Sequence, residues 1–163
     1  MRFDRLHIAL NSIEGDIEAA FDLIQASRNI WLIGNGGSAA IASHIAVDFT
    51  KNAAIPAMAF NDASWLTCYA NDFGYDRAFG QAVMDKAKHG DCLIAISSSG
   101  QSANILNAVE AARLISLNVL TLSGFKPDNP LRAMGDVNLY VPADDYGTVE
   151  ITHLAILHSM VSV

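Results

Sequence analysis

Two helical segments of this sequence each carry one histidine and one carboxylate. His44 and Asp48 are four residues apart, so their side chains lie one turn from each other on the same helix face. Glu150 and His158 are eight residues apart, which is about 80° around a helix at roughly 100° per residue. Imidazole and carboxylate are the usual general acid and base, and two of each could complete a four-ligand zinc site. Alternatively, each of the four is a partly exposed polar side chain on an amphipathic helix; His153 is one further histidine on the last helix.

A serine-rich stretch lies between an apolar run and a helical pattern, with the sequence SSSGQS at residues 97–102. It brings four hydroxyls and several backbone N–H groups to the start of a helix, whose dipole favours an anion. This chemistry suits a phosphate monoester and exceeds what a single N-cap at Ser102 requires. We therefore expect residues 97–102 to hold a phosphate.

A glycine-rich stretch, GNGGSA at residues 34–39, also follows an apolar run and precedes a helical pattern. It matches the GxGxxA fingerprint of dinucleotide-binding domains, and Asp62, near the end of the next apolar run, could accept a hydrogen bond from a ribose. A nicotinamide-dependent oxidoreductase is therefore an alternative. Such a domain does not need a second, serine-rich loop, so we expect no nucleotide cofactor.

The elements that must position these residues follow the pattern of a doubly wound α/β domain. Apolar residues recur at helical spacing over residues 3–27, which predicts one amphipathic helix. Short runs rich in Ile, Leu and Val predict strands at 29–33, 54–60, 91–96, 118–122 and 137–141. Helical patterns occupy residues 39–49 and 103–114 and continue from about 148 to the C-terminus. This order predicts a flavodoxin-like parallel sheet of about five strands covered by helices on both faces. Both loops would lie at the carboxyl ends of strands, where such sheets bind ligands.

The length and composition predict one domain with a well-buried core. The chain has 163 residues, of which 52% are hydrophobic and 17% are charged. We expect a single domain over residues 1–163, with an N-terminal packing helix at 1–27 and an α/β core at 28–163. The low charge suggests that other subunits cover part of the surface. Residues 124–130, which include two prolines, are the segment expected to be weakly ordered.

Charge, hydropathy and cysteine usage exclude several classes of partner. The net charge of −7 and the lack of a Lys/Arg cluster give no reason to bind nucleic acid. No apolar run reaches the roughly 18 residues of a membrane span, and the N-terminus lacks the layout of a signal peptide, so we expect a cytoplasmic protein without a membrane partner. Cys68 and Cys92 show no CxxC spacing and are expected to be buried free thiols.

Four ordered motifs resemble one known family. They are GNGGSAAIASHIAVDF at 34–49, NDFGYDRAF at 71–79, ISSSGQSANIL at 96–106 and VEITHLAILH at 149–158. Together they resemble the sugar-isomerase (SIS) domain family, specifically the phosphoheptose isomerases, over about residues 28–160. The resemblance implies a homotetramer that converts sedoheptulose 7-phosphate to glycero-manno-heptose 7-phosphate through an enediol, for the heptose of surface polysaccharides. It also implies zinc, one per subunit, at a site between subunits.

The resemblance also implies roles for individual residues. It assigns the phosphate to Ser38, Ser97, Ser99 and Ser102, and the rest of the substrate site to Asn35, Gly36, Gly37, Asp72 and Ser98. Asp48 stands where the family has its glutamate base, and His158 stands where it has its histidine acid. The metal-ligand positions fall on His44, Asp48, Glu150 and His158, with Glu150 replacing a common glutamine.

The same family resemblance leaves a non-catalytic alternative. Some SIS relatives sense sugar phosphates or associate with a replication-initiator protein, and such a module would keep the serine loop and dispense with an acid and a base. All four acid-base positions are histidine or carboxylate in this sequence, which favours the isomerase.

Overall fold

The computed structural model describes residues 2–161, and its centre is a five-stranded parallel sheet. The strands are β1 (Ile30–Gly34), β2 (Ala57–Ala59), β3 (Cys92–Ser97), β4 (Asn118–Ser123) and β5 (Val137–Tyr140). Their order across the sheet is β2-β1-β3-β4-β5, and all neighbours are parallel. This is the flavodoxin-like order, so the prediction of a doubly wound sheet is confirmed.

Seven α-helices cover this sheet within the described part of the chain. They are α1 (Arg2–Asn11), α2 (Ile17–Gln25), α3 (Gly37–Asn52), α4 (Ala63–Phe73), α5 (Tyr75–Lys86), α6 (Ala103–Leu114) and α7 (Tyr146–Val161), with a 3₁₀ turn at Pro130–Ala133. The sequence patterns predict neither α4 nor α5. Helix α4 buries none of its residues completely, so it lacks the clear apolar stripe by which a helix is recognised.

The core consists of two apolar layers, one on each face of the sheet. One layer joins Ile94 and Leu120 to α2, α3 and α7, and Phe49 is fully buried within it. The other joins Leu93 and Val119 to α5 and α6. Successive residues of a strand point to opposite faces, so a strand covered on both faces must be apolar throughout. All six residues of β3 are accordingly buried.

The single helix predicted over residues 3–27 is wrong, because the chain leaves the helix between α1 and α2. Glu14 pairs with Tyr140 of the edge strand β5, with N···O distances of 2.9 and 2.8 Å in the two directions. Gly15 adopts a φ of +121°, and the Asp16 carboxylate caps α2 by accepting a hydrogen bond from the Ala19 N–H. The helical periodicity continues across this break because both helices bury apolar residues in the same layer.

The segment 124–130 was expected to be weakly ordered, but a buried side chain holds it. Asn129 donates from Nδ2 to the carbonyl oxygens of Gly124 and Lys126 at 3.2 and 2.8 Å. Its Oδ1 accepts a hydrogen bond from the Arg132 N–H at 3.0 Å. These bonds satisfy a buried amide and order the turn that supports the serine loop.

The two cysteines differ in their surroundings. Cys92 is buried in the sheet, where loss of solvation raises the pKa of its thiol to about 12. Cys68 is exposed on α4, so the prediction of burial is wrong for this residue. Over residues 2–161, none of the helices combines the length and the apolar character needed to cross a membrane.

Candidate active site

The glycine-rich and serine-rich loops meet at the carboxyl edge of the sheet. Strands β1 and β3 are neighbours, but the chain leaves them toward opposite faces, into α3 and α6. This divergence opens the crevice in which doubly wound sheets bind ligands. A cavity of about 130 Å³ lies there, lined by Asn35, Ser38, Ile96, Ser97, Ser98, Ser99, Ser102, Tyr146 and Glu150.

This serine pocket, as we call the cavity, offers hydroxyl groups and no lysine or arginine among its lining residues. The Oγ atoms of Ser97 and Ser102 lie 3.3 Å apart. Ser98 is only 4% exposed, and its hydroxyl has no hydrogen-bond partner among residues 2–161. A buried polar group without a partner is costly, and a ligand that bonded to this hydroxyl from the pocket would remove that cost. Hydroxyls at the start of α6 are suited to an anion such as phosphate.

Glycine at two positions gives the loops their shape. Gly100 has a φ of +63° and lies against the Asn129 side chain, which leaves no room for a Cβ atom. Gly36 has a φ of +55° and precedes α3. At Gly37 a Cβ atom would collide with the Glu150 carboxylate, which therefore lies directly over the first turn of α3. The positive end of the helix dipole favours a negative charge at this point.

His44, Asp48 and His158 form a second cluster, where α3 packs against α7. Asp48 Oδ2 lies 3.4 Å from His44 Nε2 and 3.4 Å from His158 Nδ1. The Nε2 atoms of the two histidines are 3.2 Å apart. One ligand atom from each residue lies within 4.8 Å of the others. Two imidazoles and a carboxylate at these distances fit a zinc ion with one position left for water or substrate.

Glu150 does not belong to this cluster within one chain. It precedes His158 by eight residues, which corresponds to about 12 Å along α7. Its carboxylate lines the serine pocket, next to Gly37. A single chain therefore brings together three of the four residues expected around one ion, because the rise along α7 separates Glu150 from His158.

The pocket and the cluster lie along the same side of α3. Glu150, which lines the pocket, lies over Gly37 at the start of α3. At 100° per residue, His44 and Asp48 lie about 20° to either side of Gly37 around the helix axis. His44 lies about 10 Å and Asp48 about 16 Å along the axis from Gly37. An anion site at the helix start is thus separated by two to three turns from a site of acid-base or metal chemistry.

Two other residues singled out in the sequence lie elsewhere. Asp72 is exposed on α4 and does not line the serine pocket; it accepts hydrogen bonds from Asn71 Nδ2 at 2.9 Å and Cys68 Sγ at 3.8 Å. Asp62 caps α4 by accepting from the backbone N–H groups of Ser64 and Trp65. Asp62 therefore serves as the N-cap of α4 through its Oδ1 atom.

Three residues at the pocket were not predicted from the sequence. Two of them contact Asn35 and one lines the pocket. Asn104, next but one to Ser102, pairs with the side chain of Asn35, which also accepts a hydrogen bond from the Tyr75 hydroxyl. Tyr146 lines the pocket directly. Tyr75 and Asn104 both lie within the recognisable motifs, but spacing along the chain carries no signal for contacts between distant segments.

His153 lies beneath the site, fully buried on α7. Its Nε2 atom is 3.1 Å from the Ser123 carbonyl oxygen, to which it donates, and its Nδ1 atom has no partner in the described part of the chain. Burial lowers the pKa of this imidazole to about 4, so the ring is neutral at physiological pH. We assign His153 to the support of β4.

Comparison with known proteins gives concordant results. The SIS domain family model matches residues 6–124. The phosphoheptose isomerase of Aliarcobacter butzleri is 35% identical over 154 residues, which cover 91% of this chain and 81% of that protein. The phosphoheptose isomerase of Yersinia enterocolitica is 34% identical over 158 residues, which cover 93% of this chain and 81% of that protein. The structure of the phosphoheptose isomerase GmhA from Neisseria gonorrhoeae superposes with a TM-score of 0.82 at 32% identity, covering 89% of this chain and 83% of that one.

Proposed function

Since the chain belongs to the SIS domain family and, within it, to the phosphoheptose isomerases, we propose that it interconverts sedoheptulose 7-phosphate and glycero-manno-heptose 7-phosphate. The observation that carries the proposal is the separation of the serine pocket from the cluster of His44, Asp48 and His158 along one side of α3. A heptose 7-phosphate has its phosphate at one end of the carbon chain and its reacting carbons, C1 and C2, at the other. Such a substrate needs one site that binds the phosphate and a separate site that transfers protons at C1 and C2.

The serine pocket binds the phosphate. Ser38, Ser97, Ser99 and Ser102 donate hydroxyl hydrogen bonds to its oxygens, and the start of α6 adds backbone N–H groups and a favourable dipole. Asn35, Ser98 and the backbone of Gly36 and Gly37 bind the adjoining part of the sugar. Asp72 is assigned to the substrate by family resemblance alone, since it lies outside the pocket in a single chain.

Asp48 and His158 transfer the protons. In the direction from ketose to aldose, the Asp48 carboxylate accepts a proton from C1 while His158 donates one to the C2 oxygen, which gives the enediol. Asp48 then returns its proton to C2, and His158 accepts the proton of the C1 hydroxyl as the aldehyde forms. The two side chains are within 3.4 Å, so one acid and one base can serve adjacent carbons.

Zinc is the cofactor that we infer for this site, one ion per subunit. His44, Asp48 and His158 would hold it, and a bound ion would stabilise the negative charge that develops on the sugar oxygens. Glu150 stays a candidate ligand only if assembly brings it to the cluster of another copy. No nucleotide cofactor is needed for proton transfer between adjacent carbons.

We further propose a homotetramer with sites between subunits. The cluster lies at the surface of a single chain, where the His44 side chain is 55% exposed. Val47 and Ile151, on the same two helices, are 59% and 53% exposed, and Phe3 and Ile8 expose further apolar surface on α1. Helix α1 packs against α7, which carries His158. Exposed apolar residues on the helices of a polar site and on a helix beside them are typical of a surface that another subunit covers. The product would supply heptose for surface polysaccharides such as lipopolysaccharide or capsule.

The test is incubation of zinc-loaded protein with sedoheptulose 7-phosphate in heavy water, followed by NMR. The isomerase predicts new aldose signals and deuterium at the carbon next to the carbonyl. Ligand-induced shifts without turnover or exchange would instead favour a sugar-phosphate-binding module that has lost the chemistry.

A further inference from the structure

The side-chain amide of Asn35 is held by two residues that lie outside the serine pocket. Asn35 and Asn104 form a reciprocal pair, in which each Nδ2 donates to the other Oδ1 at 2.9 Å. The Tyr75 hydroxyl donates to the same Asn35 Oδ1 at 2.8 Å. Asn35 itself lines the pocket, whereas Tyr75 and Asn104 do not.

Counting donors and acceptors defines what Asn35 offers to a ligand. A carboxamide oxygen has two lone pairs, and both are used, one by Asn104 and one by Tyr75. The amide nitrogen carries two hydrogens, of which Asn104 takes one. Among the described residues, nothing accepts the second N–H group, and the bonds to the oxygen prevent the amide from rotating by 180°. Asn35, which lines the pocket, can therefore offer a ligand a donor and no acceptor.

The three residues belong to three different segments that meet at the pocket. Asn35 lies in the loop after β1, Asn104 lies in the first turn of α6 directly after the serine loop, and Tyr75 begins α5. Asn104 is buried, with 3% of its surface exposed, and the reciprocal pair ties the glycine-rich loop to the serine-rich loop. Tyr75 is 51% exposed, so its hydroxyl contributes little to the core.

We propose that Tyr75 and Asn104 are positioning residues, which hold the free N–H of Asn35 toward an oxygen atom of the bound sugar phosphate. The inference rests on the proposed function for the identity of the ligand. The remaining N–H acts equally on substrate and transition state, because phosphate-proximal oxygens of the sugar do not change charge in the reaction. Its loss therefore raises KM and leaves kcat nearly unchanged.

The test compares Tyr75→Phe with a matched control, Tyr69→Phe. Tyr69 lies on the neighbouring helix α4, and its hydroxyl donates to Asp85 at 2.9 Å, away from the pocket. Loss of one neutral hydrogen bond predicts that KM and the calorimetric Kd for sedoheptulose 7-phosphate rise about 3- to 10-fold in Tyr75→Phe and stay unchanged in Tyr69→Phe. In an Asn35→Ala background, Tyr75→Phe should have no further effect, because its action passes through Asn35.

The outcomes separate this inference from the proposed function. A purely structural role of Tyr75 would lower Tm and leave KM alone, which overturns the inference. Equal Kd values for wild-type protein and Tyr75→Phe, or full additivity in the Asn35→Ala background, also overturn it. Binding of the sugar phosphate by wild-type protein without turnover would end the isomerase proposal, while the Kd comparison would still decide the role of Tyr75. Absence of any binding to wild-type protein would overturn both.

Discussion

The Asp48 carboxylate lies 3.4 Å from His158 Nδ1, and the same oxygen lies 3.4 Å from His44 Nε2. One carboxylate is thus shared by two imidazoles that come from different helices. Asp48 is only partly exposed, whereas both histidines reach the surface of the chain. Because of these contacts, Asp48 is central to the proposed proton transfer. The role of Asp48 can be tested separately from phosphate binding.

We expect Asp48→Asn to abolish isomerisation and to spare substrate binding. The amide cannot accept a proton from carbon, and removal of a general base costs on the order of 10²- to 10⁴-fold in rate. The measurement is exchange of the carbon-bound proton in heavy water, with Kd for sedoheptulose 7-phosphate from calorimetry. Asp22→Asn, on α2, is the control. Activity that survives in Asp48→Asn would remove this residue from the role of base.

Zinc binding should depend on His44. His44→Ala removes one of three clustered ligands, whereas His7→Ala removes an exposed histidine of α1 outside the cluster. Loss of one ligand predicts a large fall in zinc affinity, measured by competition with a chromogenic chelator, and the control should bind zinc as the wild-type protein does. Zinc affinity that is equal in the two variants would show that the ion lies elsewhere.

The strands of the sheet and the positions of the glycine-rich and serine-rich loops were predictable from the sequence, because they depend on residues that are close together in the sequence. Short continuous apolar runs locate β1 and β3, and the composition of the segment after β3 locates the serine loop, each to within one or two residues. The break at Gly15 was not predictable, since it depends on pairing between Glu14 and the distant Tyr140. The Asn35–Asn104 pair is of the same kind. The distance between Glu150 and His158 within one chain is a different case, because the angle between two helix positions says nothing about their separation along the axis.

Ser98→Ala should weaken ligand binding without destabilising the fold. The Ser98 hydroxyl is buried and bonds to none of the described residues. Its removal therefore relieves a desolvation penalty while it deletes a donor to the ligand. We expect Kd for sedoheptulose 7-phosphate to rise about 3- to 10-fold, with Tm unchanged or higher. Ser27→Ala, whose hydroxyl donates to Leu23 O on α2, should lower Tm slightly and leave Kd alone. An unchanged Kd in Ser98→Ala would exclude this hydroxyl from the ligand site.

Glu150→Gln should strengthen phosphate binding. The Glu150 carboxylate lines a pocket that we assign to an anion, and it therefore repels the ligand. Removal of that charge predicts about a 3- to 10-fold lower Kd for inorganic phosphate at low ionic strength, with a smaller gain in high salt. Glu18→Gln, exposed on α2, is the matched control. Weaker phosphate binding would contradict the repulsion, and loss of zinc would show that Glu150 joins the metal site in the assembled protein.

His153 should make the fold sensitive to acid. Its pKa is about 4 when buried and 6.5 in the unfolded chain, so between these values the unfolded chain binds more protons than the folded one. Stability contributed by neutral His153 is therefore complete above about pH 6.5 and is lost as the pH falls toward 4, by roughly 3 kcal/mol in total. Urea unfolding across this range measures the effect. In His153→Gln, whose amide can still donate to Ser123 O, the free energy of unfolding should fall less steeply with acid, while the exposed His7→Gln should follow the wild-type protein. Parallel curves for wild-type protein and His153→Gln would mean that other groups cause the acid sensitivity.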